Sequence, residues 1–131
     1  VIVVDTNVIV SLYLPTELSL PAAQLQARDP HWVAPRLWRS ELRSVLTLYL
    51  RKGMLTLDQA LRIQGRAEDL LADREFDVPS VDVLQLAAAS GCSAYDCEFV
   101  ALARRLNARL VTADRQILKE FPAVAEPLAA A

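Results

Sequence analysis

The sequence predicts an α/β fold, a three-layer α/β/α sandwich around a central parallel sheet of about five strands. Three observations carry this reading. Short apolar runs such as Val1-Ile2-Val3-Val4 and Arg109-Leu110-Val111-Thr112 lack polar alternation, as strands buried on both faces do. Such runs alternate with segments at helical spacing along the whole chain. Two of them lead into an aspartate at the start of a helix, Asp5 and Asp114, where open α/β sheets present ligand-binding groups.

Taken in order, Val1 to Val4 is the first strand, and Val8 to Leu14 is a short helix stopped by Pro15. Ser19 before Pro21 reads as the cap of a helix through about Arg28, ended by Asp29-Pro30. His31 to Ala34 is a short strand closed by Pro35. Leu37 to Lys52 is a long helix with Gly53 just past its end, the favoured place for a left-handed cap. Thr56-x-x-Gln59 is a capping-box signature, followed at helical spacing by Leu57, Ala60, Leu61, Gln64, Ala67, Leu70 and Leu71. Glu75 to Val78 is a third strand, ended by Pro79. Val81 to Ser90 is a helix with Ser80 in the cap position, and Gly91-Cys92-Ser93 is a turn. Ala94 to Leu106 is the next helix, with a core stripe of Tyr95, Phe99, Leu102, Ala103 and Leu106, ended by Asn107. Arg109 to Thr112 is the fourth strand, Asp114 starts a helix to Phe121, and Ala123 to Glu126 is a weak fifth strand. Leu128 to Ala131 is expected to fray. No repeat, low-complexity segment or linker interrupts this order, and a single domain over 1–131 is expected.

Composition narrows the function classes. At 53% hydrophobic residues the chain can bury a core without disulfide stapling. No apolar run reaches the roughly 18 residues that cross a bilayer. No charged-then-apolar leader is present, and the missing Met reads as a trimmed first residue, so a cytoplasmic location is expected. Cys92 and Cys97 have neither zinc nor redox spacing and read as reduced, partly buried thiols. His31 is the single histidine, which excludes a paired-histidine nuclease. The net charge of −2 argues against a nucleic-acid-coating protein but is compatible with a carboxylate-rich metal site. Arg outnumbers Lys twelve to two.

The chemistry lies in the placement of acids. Asp5 and Asp114 occupy equivalent strand-end positions and share a crevice if their strands are neighbours; either can also be a plain helix cap. On a helical wheel, Leu37, Trp38, Leu42, Val45, Leu46, Leu48 and Tyr49 share one arc, and Glu41 falls inside it between Leu48 and Val45. A carboxylate there loses hydration and has to be paired, protonated or metal-bound. Snorkelling or pairing with one arginine is the structural alternative. Asp96 lies in the first turn of its helix at the flank of the core stripe, or else serves as the acid of a Ser93-x-x-Asp96 capping box. Its neighbours Cys97 and Glu98 project elsewhere. Four converging carboxylates repel one another, by about 4 kcal/mol for a pair 4 Å apart at an effective dielectric near 20. They need a cation, and hard oxygen donors without histidine or thiolate favour Mg²⁺ or Mn²⁺. Such a site performs metal-assisted phosphodiester hydrolysis.

These same residues carry a resemblance. Val3-Val4-Asp5-Thr6-Asn7, Ser40-Glu41, Ser93-Ala94-Tyr95-Asp96 with Glu98-Phe99-Val100-Ala101-Leu102-Ala103, and Leu110-Val111-Thr112-Ala113-Asp114 resemble the PIN-domain nucleases. In size the chain is similar to the VapC toxins of bacterial and archaeal toxin–antitoxin pairs. The resemblance implies a five-stranded α/β/α sandwich, an acidic Mg²⁺ pocket that cleaves RNA, a homodimer, and inhibition by a VapB-like antitoxin. It implies that Asp5 and Asp96 are the principal metal ligands, with Asp114 a further one acting through water. Glu41 is then the acid that orients a bound or attacking water, while Thr6, Asn7 and Thr112 hold the acids by hydrogen bonds. Many relatives carry another acid just after the Asp114 position, where this chain has Arg115-Gln116.

Phosphate contact needs positive charge beside the pocket, and Arg36, Arg39, Arg43 and Arg115 are the candidates. Trp38 could stack a base, though core packing is the stronger expectation. Two other function classes remain open at this stage. One is a binding protein of the same fold without turnover. The other is a phosphatase with an Asp5 nucleophile, which would want a second aspartate where this chain has Asn7.

Overall fold

Every residue of the strand β1 (Ile2–Val4) is buried, as its unbroken apolar run requires. In the computed structural model, which describes residues 1–130, β1 is the centre of a parallel sheet. The other strands are β2 (Trp32–Pro35), β3 (Glu75–Phe76), β4 (Leu110–Thr112) and β5 (Ala125–Pro127), in the order β3-β2-β1-β4-β5. Val3 sits opposite Val33 on one side and Leu110 on the other, and all four pairings are parallel. The architecture is therefore the expected α/β sandwich.

Seven α-helices connect the strands: α1 (Thr6–Tyr13), α2 (Ser19–Arg28), α3 (Trp38–Arg51), α4 (Leu57–Leu70), α5 (Ser80–Ala88), α6 (Ala94–Leu106) and α7 (Arg115–Glu120). The chain steps one way from β1 to β2 to β3, then returns past β1 to β4 and β5. Right-handed crossovers accordingly put α1 to α4 on one face and α5 to α7 on the other. Packing agrees, with α6 lying against β1, β2 and β4 while α1 touches α2 and α3. Connections leave β1 and β4 in opposite directions, so the switch point of this sheet lies between those two strands.

Several ends differ from expectation for local reasons. The helix α1 begins at Thr6, not Val8, because Asp5 is its N-cap and accepts from the Thr6 amide. Ser19 does not cap α2; its hydroxyl donates to Leu14 O and accepts from the Thr16 amide, closing the preceding turn. Ser80 is the first helical residue of α5, with Pro79 ahead of it. The strand β3 is two residues long, and β5 begins at Ala125. Leu128 is not frayed: it is 2% exposed in a short 3-10 turn over Leu128–Ala130. The Ala131 part of that expectation lies outside the described residues.

The punctuation otherwise follows the sequence. Thr56 and Gln59 form the reciprocal capping box of α4. Gly53, at φ +71°, and Asn107, at φ +50°, follow α3 and α6 in the left-handed region. Cys92 and Cys97, both free and buried, occupy the positions just before the Ser93 cap and one turn into α6, the two places a hydrophobic staple joins.

The apolar stripes are wider than the core that uses them. Trp38, Leu42 and Leu46 of α3 are buried, yet Leu48 is 55% exposed. Leu57 and Leu61 of α4 are exposed while Ala60, Ala67 and Leu71 are buried. Tyr95 and Leu106, expected in the stripe of α6, are exposed at its two ends, whereas Cys97 and Phe99 to Ala103 fill its middle. The sheet is shorter than the helices laid over it, so helix ends overhang.

Candidate active site

Asp5 leaves the carboxyl end of β1 with 6% of its surface exposed, and each of its oxygens is occupied. Oδ1 accepts from the Thr6 amide at 2.8 Å. Oδ2 accepts from Thr112 Oγ1 at 2.7 Å and from Asn7 Nδ2 at 3.3 Å. Thr112, at the end of the adjacent strand β4, is fully buried and also accepts from the Asp114 amide at 3.0 Å. Asn7 Oδ1 accepts from the Ala113 amide at 3.1 Å. The two strand-end turns are thus laced together by the side chains of Asn7 and Thr112, across the switch point.

The other acids reach the same crevice from helices. Glu41, in the first turn of α3, accepts from Thr6 Oγ1 through Oε1 at 2.7 Å. Val45, on one flank of Glu41 on the wheel, lines the same cavity, and Leu48, on the other, is exposed, so that side of α3 does not face the core. Asp96 sits in the first turn of α6, where Ser93 caps its amide at 3.1 Å. Asp114 caps α7 through Oδ1, which accepts from the amides of Gln116 and Ile117. The cap and the site are the same residue in both strand-end aspartates. Asp5, Thr6, Asn7, Glu41, Asp96 and Asp114 line one cavity of about 470 Å³, with Val10, Ser44 and Val45 completing its wall. Ser44 carried no sequence signal; it enters because it follows Glu41 by nearly one helical turn. A cavity of about 400 Å³ between α5 and α6, lined by Asp82, Leu86, Arg104 and Arg105 among others, holds none of these acids.

Burial and mutual charge mark the cluster. Burial raises the Asp5 carboxyl to about 6, against the hydrogen bonds from Thr112 and Thr6, and the charges of Glu41 and Asp96 add to the rise. Glu41 is raised by burial, opposed by the Thr6 hydrogen bond and assisted by Asp96. Asp96 is raised by burial and then by Asp114. Among the described residues none of these four acids forms a salt bridge. A set of oxygen donors short of positive charge suits a hard divalent cation. Among the described residues no three such side chains are gathered closely enough to hold an ion on their own.

The positive and aromatic candidates separate. Arg39 is tied into α4 and β3: its Nε and Nη2 donate to Glu75 at 2.6 Å each, and Nη1 to Glu68 at 3.1 Å. Trp38 is fully buried and donates its indole N–H to the same Glu75, so it packs the core and stacks no base. Arg36, Arg43 and Arg115 are exposed, Arg36 with a loose partner in Asp77 at 3.5 Å. Gln116, two residues after Asp114, donates to Gly91 O at 2.6 Å. Glu98, set aside on the sequence, stands near enough to Glu41 for that charge to raise its carboxyl further, after burial. The pattern of α6 alone carries no sign of this, since the neighbouring charge belongs to α3.

A family model for the PIN domain matches residues 2–124. The chain belongs to the PIN-domain family. Ribonuclease VapC3 of Pyrobaculum aerophilum is 33% identical over 131 residues, covering 96% of this PIN domain and 98% of the relative. FitAcB from Neisseria gonorrhoeae shares the fold of this PIN domain at a TM-score of 0.76 and 18% identity, with both chains fully covered. FitAB bound to the IR36 DNA fragment shares it at 0.73 and 16%, over 98% of this chain and 95% of that one.

Proposed function

We propose that this PIN domain is a Mg²⁺- or Mn²⁺-dependent endoribonuclease acting as the toxin of a toxin–antitoxin pair. One observation carries the reading: Asp5, Glu41, Asp96 and Asp114 meet in one cavity at the switch point of the sheet, with no salt bridge to any of them among the described residues. Kinship with a ribonuclease VapC supports RNA as the substrate. Asp5, Asp96 and Asp114 would hold the ion, Asp114 through water.

A bound divalent ion supplies polarisation of the phosphodiester and activation of water. The chain's own residues do the rest. Thr112 and Asn7 hold Oδ2 of Asp5, and the Thr6 amide holds Oδ1, so this carboxylate cannot turn away from the crevice. Glu41, fixed through Oε1 by Thr6, keeps its second oxygen available to orient a water and take its proton. Its raised affinity for protons suits that task. The exposed guanidiniums of Arg36, Arg43 and Arg115 contact RNA phosphates; Arg39 serves the α3–α4–β3 contact instead.

Protein partners fit the exposed apolar side chains. Leu57 and Leu61 share a face of α4, and Val81 stands at the start of α5, all about 60% exposed. A homodimer and a VapB-like antitoxin would cover such surfaces. No helix of the described residues is long and apolar enough to cross a membrane.

The test is cleavage of cellular RNA by the purified protein. Mg²⁺ should support cleavage, and EDTA or Asp5→Asn should abolish it while the circular dichroism spectrum is retained. Cleavage that persists under both conditions would sink the metal mechanism.

A further inference from the structure

A further cavity, of about 310 Å³, opens beside the acid crevice, and of its lining only Arg36 enters the reading above. It is lined by Arg36, Phe76, Asp77, Val78, Ser80, Val83, Leu84 and Glu98, of which Arg36, Phe76, Leu84 and Glu98 carry the argument. Its position follows from the topology. Asp5, Arg36 and Asp77 leave the carboxyl ends of the neighbouring strands β1, β2 and β3. Adjacent strands lie about 4.8 Å apart, so this cavity is one to two strand spacings, about 5–10 Å, from Asp5. That is the reach of a single nucleotide.

We propose that this cavity seats the nucleobase next to the scissile phosphodiester, and that it prefers guanine. The proposal rests on the ribonuclease reading. The half-buried Phe76 ring with Val83 and Leu84 offers apolar walls for a base face. Glu98 presents a carboxylate whose two oxygens match the adjacent N1–H and N2–H donors of guanine. Adenine, cytosine and uracil each put an acceptor beside their donor on that edge, which the same carboxylate repels. Among the described residues the salt bridge of Arg36 is an exposed one to Asp77, both side chains more than half exposed, with Glu75 felt only as a nearby charge, so a phosphate displaces Asp77 at little cost. The volume is at the lower bound for ligand sites and excludes more than one nucleotide.

Two measurements on the full chain decide it. In EDTA, guanosine 5′-monophosphate and the adenosine, cytidine and uridine monophosphates are titrated separately and followed by NMR shifts. The guanine nucleotide should bind about tenfold more tightly than the others, as a bidentate contact gives. Glu98→Gln should erase that margin, Leu84→Ala should weaken all four, and Arg36→Ala should remove the advantage of the monophosphate over guanosine itself. In Mg²⁺, cleavage of a random-sequence RNA should place guanine at a fixed offset from the cut, and Glu98→Gln should flatten that position. Equal binding of the four nucleotides, binding of none, or a guanine preference that survives Glu98→Gln overturns the proposal. Absence of cleavage with guanine-selective binding overturns the ribonuclease reading alone and supports the pocket.

Discussion

The hydroxyl of Thr112 donates to Asp5 and accepts from the Asp114 amide and from Asn7, so one buried oxygen sets the relation of two aspartates. Thr112→Val keeps the shape and strands the Asp114 amide. Urea unfolding at pH 7 should show a loss of about 1–3 kcal/mol, and Thr112→Ser should recover most of it. Asp5 makes a prediction in pH. Its folded value of about 6 lies above the unfolded value of 3.8, so the fold binds a proton more tightly than the unfolded chain. That contribution is complete below about pH 4 and is lost as pH rises through 6, a change of about 3 kcal/mol. Melting in EDTA from pH 4 to 7 should show this decline, and Mg²⁺ should reverse it at pH 7 while adding little at pH 4. At this scale the sequence was partly legible. Asp5 and Asp114 were visible because a strand end is a local feature, and Glu41 because its wheel position was anomalous. Glu98 was not, because the elements that make it part of a cavity wall are distant in sequence, and Ser44 was not, because a serine one turn from Glu41 on an exposed helix face carries no anomaly of its own.

Helix α7 is short, but two of its side chains hold the turn that launches α6. Gln116 donates to Gly91 O, and Glu120 accepts from the Gly91 amide at 3.3 Å. A Cβ on Gly91 would lie 2.9 Å from Gln116 Nε2, which leaves no room for a side chain without moving this clamp. The clamp ties the Ser93 cap, and with it Asp96, to the helix that Asp114 begins. Gln116→Ala should therefore cost about 1 kcal/mol of stability while lowering RNA cleavage further than that loss explains. Thr56→Ala is the contrasting case: it removes the α4 capping box for about 1 kcal/mol and should leave cleavage intact, since α4 contributes nothing to the acid cavity. Capping signals were read correctly at Thr56, Gly53 and Asn107, where the partner lies within a few residues. They failed at Ser19, whose hydroxyl turned back to Leu14. Apolar periodicity told which residues could be buried but not which were: Leu48, Leu57, Leu61 and Tyr95 have the pattern and no sheet beneath them.

For the whole molecule, the overhanging apolar side chains predict assembly. Val81→Glu should shift the purified chain toward monomer in sedimentation velocity without lowering its melting temperature, since Val81 is 59% exposed. The α/β class was legible because a parallel sheet buried on both faces writes itself as unbroken apolar runs. Strand order was not legible, because two- to four-residue strands carry too little pattern to name their neighbours. That order has a temporal consequence. Of the five strands of this sheet the central one is synthesised before the others, yet one of its two neighbours arrives more than a hundred residues later, and Asp5 waits for Thr112 across that interval. Loop closure over such a span is slow and comes late. The acid cavity is therefore among the last parts to exist on a nascent chain. A fragment ending anywhere before β4 would retain Asp5, Glu41 and even Asp96 without a site, so the acid cavity is absent from a growing chain of this design until β4 has emerged.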